Sequence, residues 1–365
     1  MSSHPPGAAL ASTVTSVAAL GFVPVAVHFN LFDTLAKVEG PATGEDVLAA
    51  YRSRKGDKAE NDVPCVSHDT LYAMSGLGFV DLAGDDLYSA NAITKHLATM
   101  PSAQHGALHF TTEALLGAAF LMRKLKADNF EYPFKELDTP YQYAYRLMGE
   151  AELAKQHTYS VMAAEGRMDS FNHFMVGKFM KTNSAPDRLR ALGYGLPSVL
   201  NEAGDGVPAT MVDIGGGRGE LLLDIKAAYP YLQASDLVVQ EFNEDIIEIP
   251  GITLATWNYK EDTPQPIKGA LVYHLAHILH NLSDLEAARL LQKISEAMAP
   301  HSRILIHEFA KNVNYAKMHS AMIALYAGRE RSAVEWRQMA ALAGLKVTFE
   351  AYPEVGEGLI EMRKV

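Results

Sequence analysis

Three histidines, His274, His277 and His280, recur at three-residue intervals in Tyr273-His-Leu-Ala-His-Ile-Leu-His-Asn-Leu-Ser-Asp284. Such a run can be a metal site, a histidine-rich helix, or one working imidazole with two bystanders. A metal site needs all three rings on one face. The residues leading to Tyr273 read as a strand, and Ser283-Asp284 read as the cap of a helix that begins at Leu285. The residues between them then form an irregular loop, which is expected to scatter the three rings. The single cysteine, Cys65, is distant in sequence and offers no knuckle with a second thiolate. No metal is expected here.

A second chemical signal is Val212-Asp-Ile-Gly-Gly-Gly-Arg-Gly219, which follows a strand and opens a helix. Glycines at 215, 217 and 219 give GxGxG, but the third glycine of a dinucleotide fingerprint is replaced by Glu220 or Leu222. With no GK[ST], the phosphate-cradling loop of an NTPase is excluded as well. What remains is a turn that lets backbone approach a ligand closely without demanding a phosphate. Asp213 can accept from an ammonium group, and Glu241, at the end of the next strand, can take both hydroxyls of a ribose. A ligand with a ribose and an amino-acid ammonium but no pyrophosphate is S-adenosylmethionine. The bland alternative is a tight turn that binds nothing.

These residues need a frame. From Ala209 onward strands alternate with helices: Thr210–Ile214, Asp236–Glu241, Ile252–Ala255, Gly269–Tyr273 and Arg303–His307 as strands, Glu220–Tyr229 and Leu285–Met298 as helices. Alternation of this kind predicts a parallel, doubly wound α/β sheet, closed by an antiparallel pair at Leu345–Ala351 and Gly358–Arg363. The residues before 105 read as helices followed by a hairpin, Phe79–Leu82 and Leu87–Ala90 around Ala-Gly-Asp-Asp, with a helix capped at Thr43. That order is the winged-helix pattern. The expected division is 1–105 for a winged-helix-like dimerisation domain, 106–203 for a helical connecting and substrate-pocket region, and 204–365 for a Rossmann-like catalytic domain. The middle region is rich in Met and Phe, including Met162, Phe171, Phe174, Met175, Phe179 and Met180. At helical spacing these are either plain core or an adaptable wall for a flat organic ligand.

Charge and composition exclude several classes. The 365 residues carry a net charge of −11, with 48% apolar and 21% charged residues. Residues 31–97 hold six Lys or Arg against eleven Asp or Glu, so the winged-helix segment is a poor reader of phosphates, and no nucleic-acid partner is expected. One cysteine fits a reducing, cytoplasmic setting. The apolar run from Gly7 to Phe32 has no Lys or Arg before Lys37, and Ser12, Thr13, Thr15, Ser16 and Pro24 interrupt it. It reads as a buried helix pair at a subunit interface, with neither a targeting segment nor a membrane span.

Taken together, the chain resembles the caffeic acid O-methyltransferase-like class of S-adenosylmethionine-dependent methyltransferases, particularly the small-molecule enzymes of fungal and bacterial secondary metabolism. The resemblance spans about Ala18 to Arg363. It rests on the glycine turn, Val238-Val-Gln-Glu241, Thr263-Pro-Gln-Pro-Ile-Lys-Gly269, His277-Ile-Leu-His-Asn-Leu-Ser-Asp284 and Gly328-Arg-Glu-Arg-Ser332. It implies a homodimer joined through the N-terminal domain, a small-molecule substrate, and His280 as general base braced by Glu308 and Glu330. For the cofactor it implies Gly215, Gly217, Glu241 and Asn258, with Tyr259 beside it, in addition to Asp213. Met162, Phe171, Phe174, Met175, Met322 and Tyr326 are the candidate substrate wall. Three positions depart from the family pattern: Asn281 for Asp, Leu282 for Trp, and Ala276 for a basic residue. They keep open a second reading, a pericyclase or dehydratase that binds S-adenosylmethionine on the same scaffold without transferring methyl.

Overall fold

The computed structural model describes residues 5–55, 64–176, 183–204, 206–242 and 248–365. The chain forms two compact units, Met1–Ala119 with Tyr159–Phe179, and Phe120–Thr158 with Met180–Val365. Of the stretch 106–203, residues 106–119 and 159–176 pack with the first unit, and 120–158 and 183–203 with the second. Phe179 and Met180 lie outside the described residues.

In the first unit, helices Leu31–Lys37, Gly44–Lys55 and Pro64–Gly76 precede a hairpin of β1 (Asp81–Gly84) and β2 (Leu87–Ser89). Thr43 caps the second helix as expected: its hydroxyl accepts from the Asp46 N–H at 3.1 Å, while the Asp46 carboxylate accepts from the Thr43 N–H at 2.9 Å. The first strand starts two residues later than the sequence suggested. Val80 is drawn into a core with Phe32, Leu35, Val47, Leu71, Met74 and Tyr88, and the Phe79 carbonyl accepts from the Thr94 hydroxyl. That leaves a tighter turn at Asp85-Asp86. Helix Pro6–Leu20 has no fully buried residue within one chain, and Leu10, Val14 and Val17 stay 56–64% exposed. No helix among the described residues is long and apolar enough to cross a membrane.

One polar cluster is built into the first unit where helix Pro101–His109 passes into a π-helical turn, Phe110–Ala114. Glu113 accepts from Arg167 Nε at 2.8 Å and from Thr112 at 2.5 Å, with His109 Nδ1 at 3.2 Å. Burial would raise the Glu113 carboxyl, but these donors outweigh it and bring it from an ordinary 4.5 down to about 2.

The second unit carries a seven-stranded sheet. Its strands are β3 (Met211–Ile214), β4 (Leu237–Glu241), β5 (Thr253–Thr256), β6 (Val272–Ala276), β7 (Arg303–Phe309), β8 (Leu345–Ala351) and β9 (Glu357–Lys364), in spatial order β5-β4-β3-β6-β7-β9-β8. The first five run parallel, and β9 pairs antiparallel with both β7 and β8. Strands β3 and β7 are buried along their whole length, with helices over both faces, and carry Asp213, Arg303, His307 and Glu308 inside among apolar neighbours. One face packs on helices Asp284–Ala297 and Ala333–Leu342 through Leu290, Leu291, Ile294, Trp336 and Met339. The other packs on helix Glu220–Ala228 through Leu221, Leu222 and Ile225. The chain leaves β3 toward β4 and β5 and returns to β6 on its other side. The carboxyl ends of β3 and β6 therefore flank a topological switch point, where α/β sheets place ligands.

Because Glu113 ionises well below its ordinary value, its share of stability is present above pH about 4.5 and is lost as pH falls toward 2. Glu113→Gln is expected to flatten that acid limb in a stability-versus-pH series followed by circular dichroism, with little change in its slope above pH 6. An unaltered acid limb would mean that Glu113 is not ionised in this cluster.

Candidate active site

The glycine turn follows β3 because three successive odd positions adopt the left-handed backbone: Gly215 at φ +68, Gly217 at +60 and Gly219 at +72. Two of the glycines are also required by space. A Cβ on Gly215 would stand 2.5 Å from Ile278 Cδ1, and one on Gly216 would stand 2.5 Å from Asp213 Oδ2. Gly217 has nothing within 4 Å of its Cβ direction, so the backbone there is open. Its N–H donates to Glu241 Oε1 at 2.6 Å. Burial raises the Glu241 carboxyl above its ordinary value, and the Asp213 charge adds to that against the Gly217 hydrogen bond. Two carboxylates thus border one open turn, a site that favours a ligand carrying positive charge and hydroxyl donors. The residues fit S-adenosylmethionine on those grounds.

After β5, Asn258 donates to Glu261 at 2.9 Å, and its side-chain carbonyl accepts from the Lys260 N–H at 3.2 Å. One lone pair of that carbonyl is left for an outside donor. Tyr259 packs its ring edge-on to Trp257, and its carbonyl accepts from Lys293 at 3.0 Å.

The histidine run divides differently from the expected scatter. His274 lies on β6 and points into the sheet, where its Nδ1 sits 2.6 Å from Asp213 Oδ1. Strand β6 ends at Ala276, and His277 takes a left-handed backbone at φ +54. With that bend, His277 and His280 become neighbours, their rings 5.3 Å apart, and both reach Glu308. One donor atom each from His277, His280 and Glu308 falls within 4.8 Å of the others, so geometry alone would admit a cation. His280 Nδ1, however, also lies 3.0 Å from Glu330 Oε1. A proton on Nδ1 satisfies that contact, and a cation would have to displace it.

His280 sits on a 3-10 turn, Leu279–Asn281, held from three sides. Its backbone N–H donates to Glu308 Oε1 at 3.1 Å, and its Nδ1 faces Glu330 Oε1 at 3.0 Å and Glu308 Oε2 at 3.5 Å. Both carboxylates are 1% exposed, while the His280 ring keeps a small opening. Burial raises the Glu330 carboxyl, while the charge of His280 in its protonated form and its hydrogen bond draw it below the ordinary value, so the pair is matched to the imidazolium that forms when Nε2 takes a proton. The pair leaves His280 Nε2 as the nitrogen that can accept a proton from a bound molecule.

Two supports were missed in the sequence. Arg331, fully buried, donates to the Leu279 carbonyl at 2.7 Å, the Leu282 carbonyl at 2.9 Å and Asp284 at 3.0 Å, which pins the turn on both sides of His280. Gly328 passes so close that a Cβ would overlap the His280 carbonyl and would lie 2.7 Å from the Asn281 carbonyl carbon. Both belong to Gly328-Arg-Glu-Arg-Ser332, a motif in which the sequence alone singles out Glu330. His277 Nε2 meets Glu357 at 2.7 Å, a pairing across 80 residues that no local pattern signals.

The candidate substrate wall divides by unit. Met162 and Phe174 are buried in the first unit, where Phe171 and Phe174 flank His109 with ring centroids at 5.1 and 5.9 Å; Met175 is half-buried there. Met322 and Tyr326 are buried on one helix of the second unit, Ala316–Tyr326, four residues apart.

Comparison with known proteins shows the family. Residues 199–346 match the O-methyltransferase domain family. The O-methyltransferase bfoE of Aspergillus brasiliensis is 56% identical over 361 residues, covering 98% of this chain and 96% of its own length. The O-methyltransferase aunE of Aspergillus niger is 52% identical over 373 residues, with the same coverage of 98% and 96%. Among solved structures, LepI in complex with SAM aligns over 100% of this chain and 90% of its own, with a TM-score of 0.79 at 20% identity. A structure described as a pericyclic reaction enzyme aligns with a TM-score of 0.80 at 21% identity, covering 100% and 90%. Human N-acetylserotonin methyltransferase with SAM gives 0.69 at 18%, covering 100% and 99%. At such identities the three structures speak to the fold.

Overlap with backbone cannot be relieved by a rotamer change, so Gly328→Ala is expected to cost about 1–3 kcal/mol or more. The thermal midpoint should fall by several degrees, whereas Gly204→Ala, with nothing within 4 Å, should leave it unchanged. Equal midpoints for the two variants would remove the close approach of Gly328 to the His280 turn.

Proposed function

The chain belongs to the S-adenosylmethionine-dependent O-methyltransferases, and from that premise we propose that His280 is the general base that activates the acceptor hydroxyl, braced by Glu308 and Glu330. The observation that carries the reading is the buried pair of carboxylates on one imidazole nitrogen: 3.0 Å to Glu330 and 3.5 Å to Glu308. S-adenosylmethionine, when bound, supplies an electrophilic methyl group on a sulfonium. Asp213, Gly215, Gly217, Glu241, Asn258 and Tyr259 are the residues proposed to hold it.

A phenol-like hydroxyl with pKa near ~10 is a poor nucleophile while protonated. Neutral His280, with its proton on Nδ1 directed at Glu330, presents the Nε2 lone pair to that hydroxyl. Taking the proton as the oxygen attacks contributes on the order of 10²–10⁴ in rate. Glu330 then faces an imidazolium and stabilises it, while Glu308 fixes the turn through the His280 N–H. The remainder of catalysis is alignment of acceptor oxygen with the methyl group. Met322 and Tyr326, on the unit that carries His280, suit a flat aromatic or polyketide-like metabolite, and the names of the fungal relatives favour methyl transfer over a pericyclic reaction.

The oligomer is part of this proposal. Helix Pro6–Leu20 leaves Leu10, Val14 and Val17 exposed, and its Thr15, Ala18 and Ala19 line a groove with Phe22, Tyr72 and Leu82. A second copy of the chain covering that surface gives a homodimer through the N-terminal unit. Light scattering should report twice the chain mass, and Val14→Asp should shift it toward the monomer; a monomeric wild type contradicts the dimer.

His280→Ala is expected to lower turnover with methyl-labelled cofactor and phenolic acceptors by about 10²–10⁴ while cofactor affinity changes little. Collapse of cofactor binding in that variant would make His280 structural. Product formed by the wild type without labelled product or S-adenosylhomocysteine would favour the non-transferring reading. Turnover is expected to survive EDTA; loss restored by Zn²⁺ would turn His277, His280 and Glu308 into metal ligands.

A further inference from the structure

His274 and His307 are left without a role by the chemistry above, yet they are buried in the middle of the sheet at 0% and 2% exposure. Asp213 on β3 lies in register with His274 on β6, and β7 beside it carries His307. The three side chains make a continuous line. Asp213 Oδ1 is 2.6 Å from His274 Nδ1, and His274 Nε2 is 2.7 Å from His307 Nδ1. A carboxylate only accepts, so His274 Nδ1 carries a proton and donates to Asp213. Burial, reinforced by the neighbouring His274, holds His307 well below its usual pKa, so it is neutral. Its Nε2 has no hydrogen-bond partner among the described residues.

Such an arrangement is poor packing if packing is its purpose. Apolar side chains at 274 and 307 would fill the sheet without an unpartnered ring nitrogen, which costs free energy when buried. The consequence for Asp213 is specific. Because Oδ1 is held on the His274 side, Oδ2 is turned to the glycine turn, where it lies 2.5 Å from the position a Gly216 Cβ would take.

We propose that His274 and His307 form a positioning relay that fixes Asp213 with Oδ2 facing the turn, as the acceptor for the ammonium group of bound S-adenosylmethionine. The proposal rests on reading residues 213–219 as the cofactor site. His274 and His307 are positioning residues, since Asp213 alone meets the ligand. His307 orients His274 by pairing with its Nε2, and His274 orients the carboxylate.

Two probes separate this role from a merely structural one. S-adenosylhomocysteine carries the ammonium, whereas 5′-methylthioadenosine keeps the nucleoside and thioether without the amino-acid tail. Titration calorimetry on the full chain should give His274→Leu an S-adenosylhomocysteine affinity lower by about tenfold, as expected for one misaligned charge-assisted hydrogen bond, with methylthioadenosine affinity within about twofold of wild type. His274→Asn, whose side-chain N–H can replace Nδ1–H, should recover most of the loss, and His307→Leu should lose a few-fold for S-adenosylhomocysteine alone. Equal losses for both probes, or none for either in variants that melt as wild type does, would overturn the relay. Should His274→Leu fail to fold, the Asn variant and His307→Leu carry the same comparison. A wild type that binds methylthioadenosine but gains nothing from the amino-acid tail would overturn the ammonium contact. A wild type that binds neither probe would overturn the cofactor site itself.

Discussion

Two carboxylates that are each 1% exposed meet one imidazole, and the surrounding structure is organised to keep them there. Glu308 comes from the end of β7, Glu330 from the segment before helix Ala333–Leu342, and His280 from a turn after β6. Burying two carboxyl groups is expensive unless partners meet them. Glu308 accepts from the His280 N–H and Glu330 faces the His280 ring, with the His277 ring 3.8 Å from Glu308. Arg331 and Gly328 serve the same constraint from outside: one ties down the carbonyls on both sides of His280, and the other lets the loop pass without a side chain. The imidazole is therefore held in one orientation before any substrate arrives, which is what a base needs if it is to act without reorganisation.

The sheet explains how residues far apart in sequence reach this place. In a parallel sheet every crossover returns the chain to the same edge, so the carboxyl ends of β3, β4, β6 and β7 deliver Asp213, Glu241, the histidine run and Glu308 to one side. The glycine turn and the histidine run are thus products of a single topology. The line from Asp213 through His274 to His307 crosses three adjacent strands and links that turn to the interior of the sheet.

Much of this was legible in the residues. The change from helical to alternating strand and helix periods located the sheet, and the glycines at 215, 217 and 219 located the turn, because left-handed backbone leaves a compositional mark. His280, Glu308 and Glu330 were legible through the motifs that carry them. Other features leave no local mark. That His277 would turn beside His280 depended on one left-handed residue that is not glycine, and that His277 would meet Glu357 depended on β9 inserting between β7 and β8. The helix Pro6–Leu20 reads as buried because it is apolar, but burial depends on what covers it, and within one chain none of its residues is fully buried. The hairpin moved by two residues because Val80 was claimed by the core, a tertiary demand that turn residues cannot report.

The central claim, that His280 takes the proton of the acceptor hydroxyl with Glu330 stabilising its charged form, is tested most directly by the pH dependence of kcat/KM for the wild type and Glu330→Gln. Removing the carboxylate destabilises the imidazolium, so the acid limb of the variant should move to lower pH and its plateau should fall by about 10²-fold or less. An acid limb and a plateau unchanged from the wild type would contradict the account.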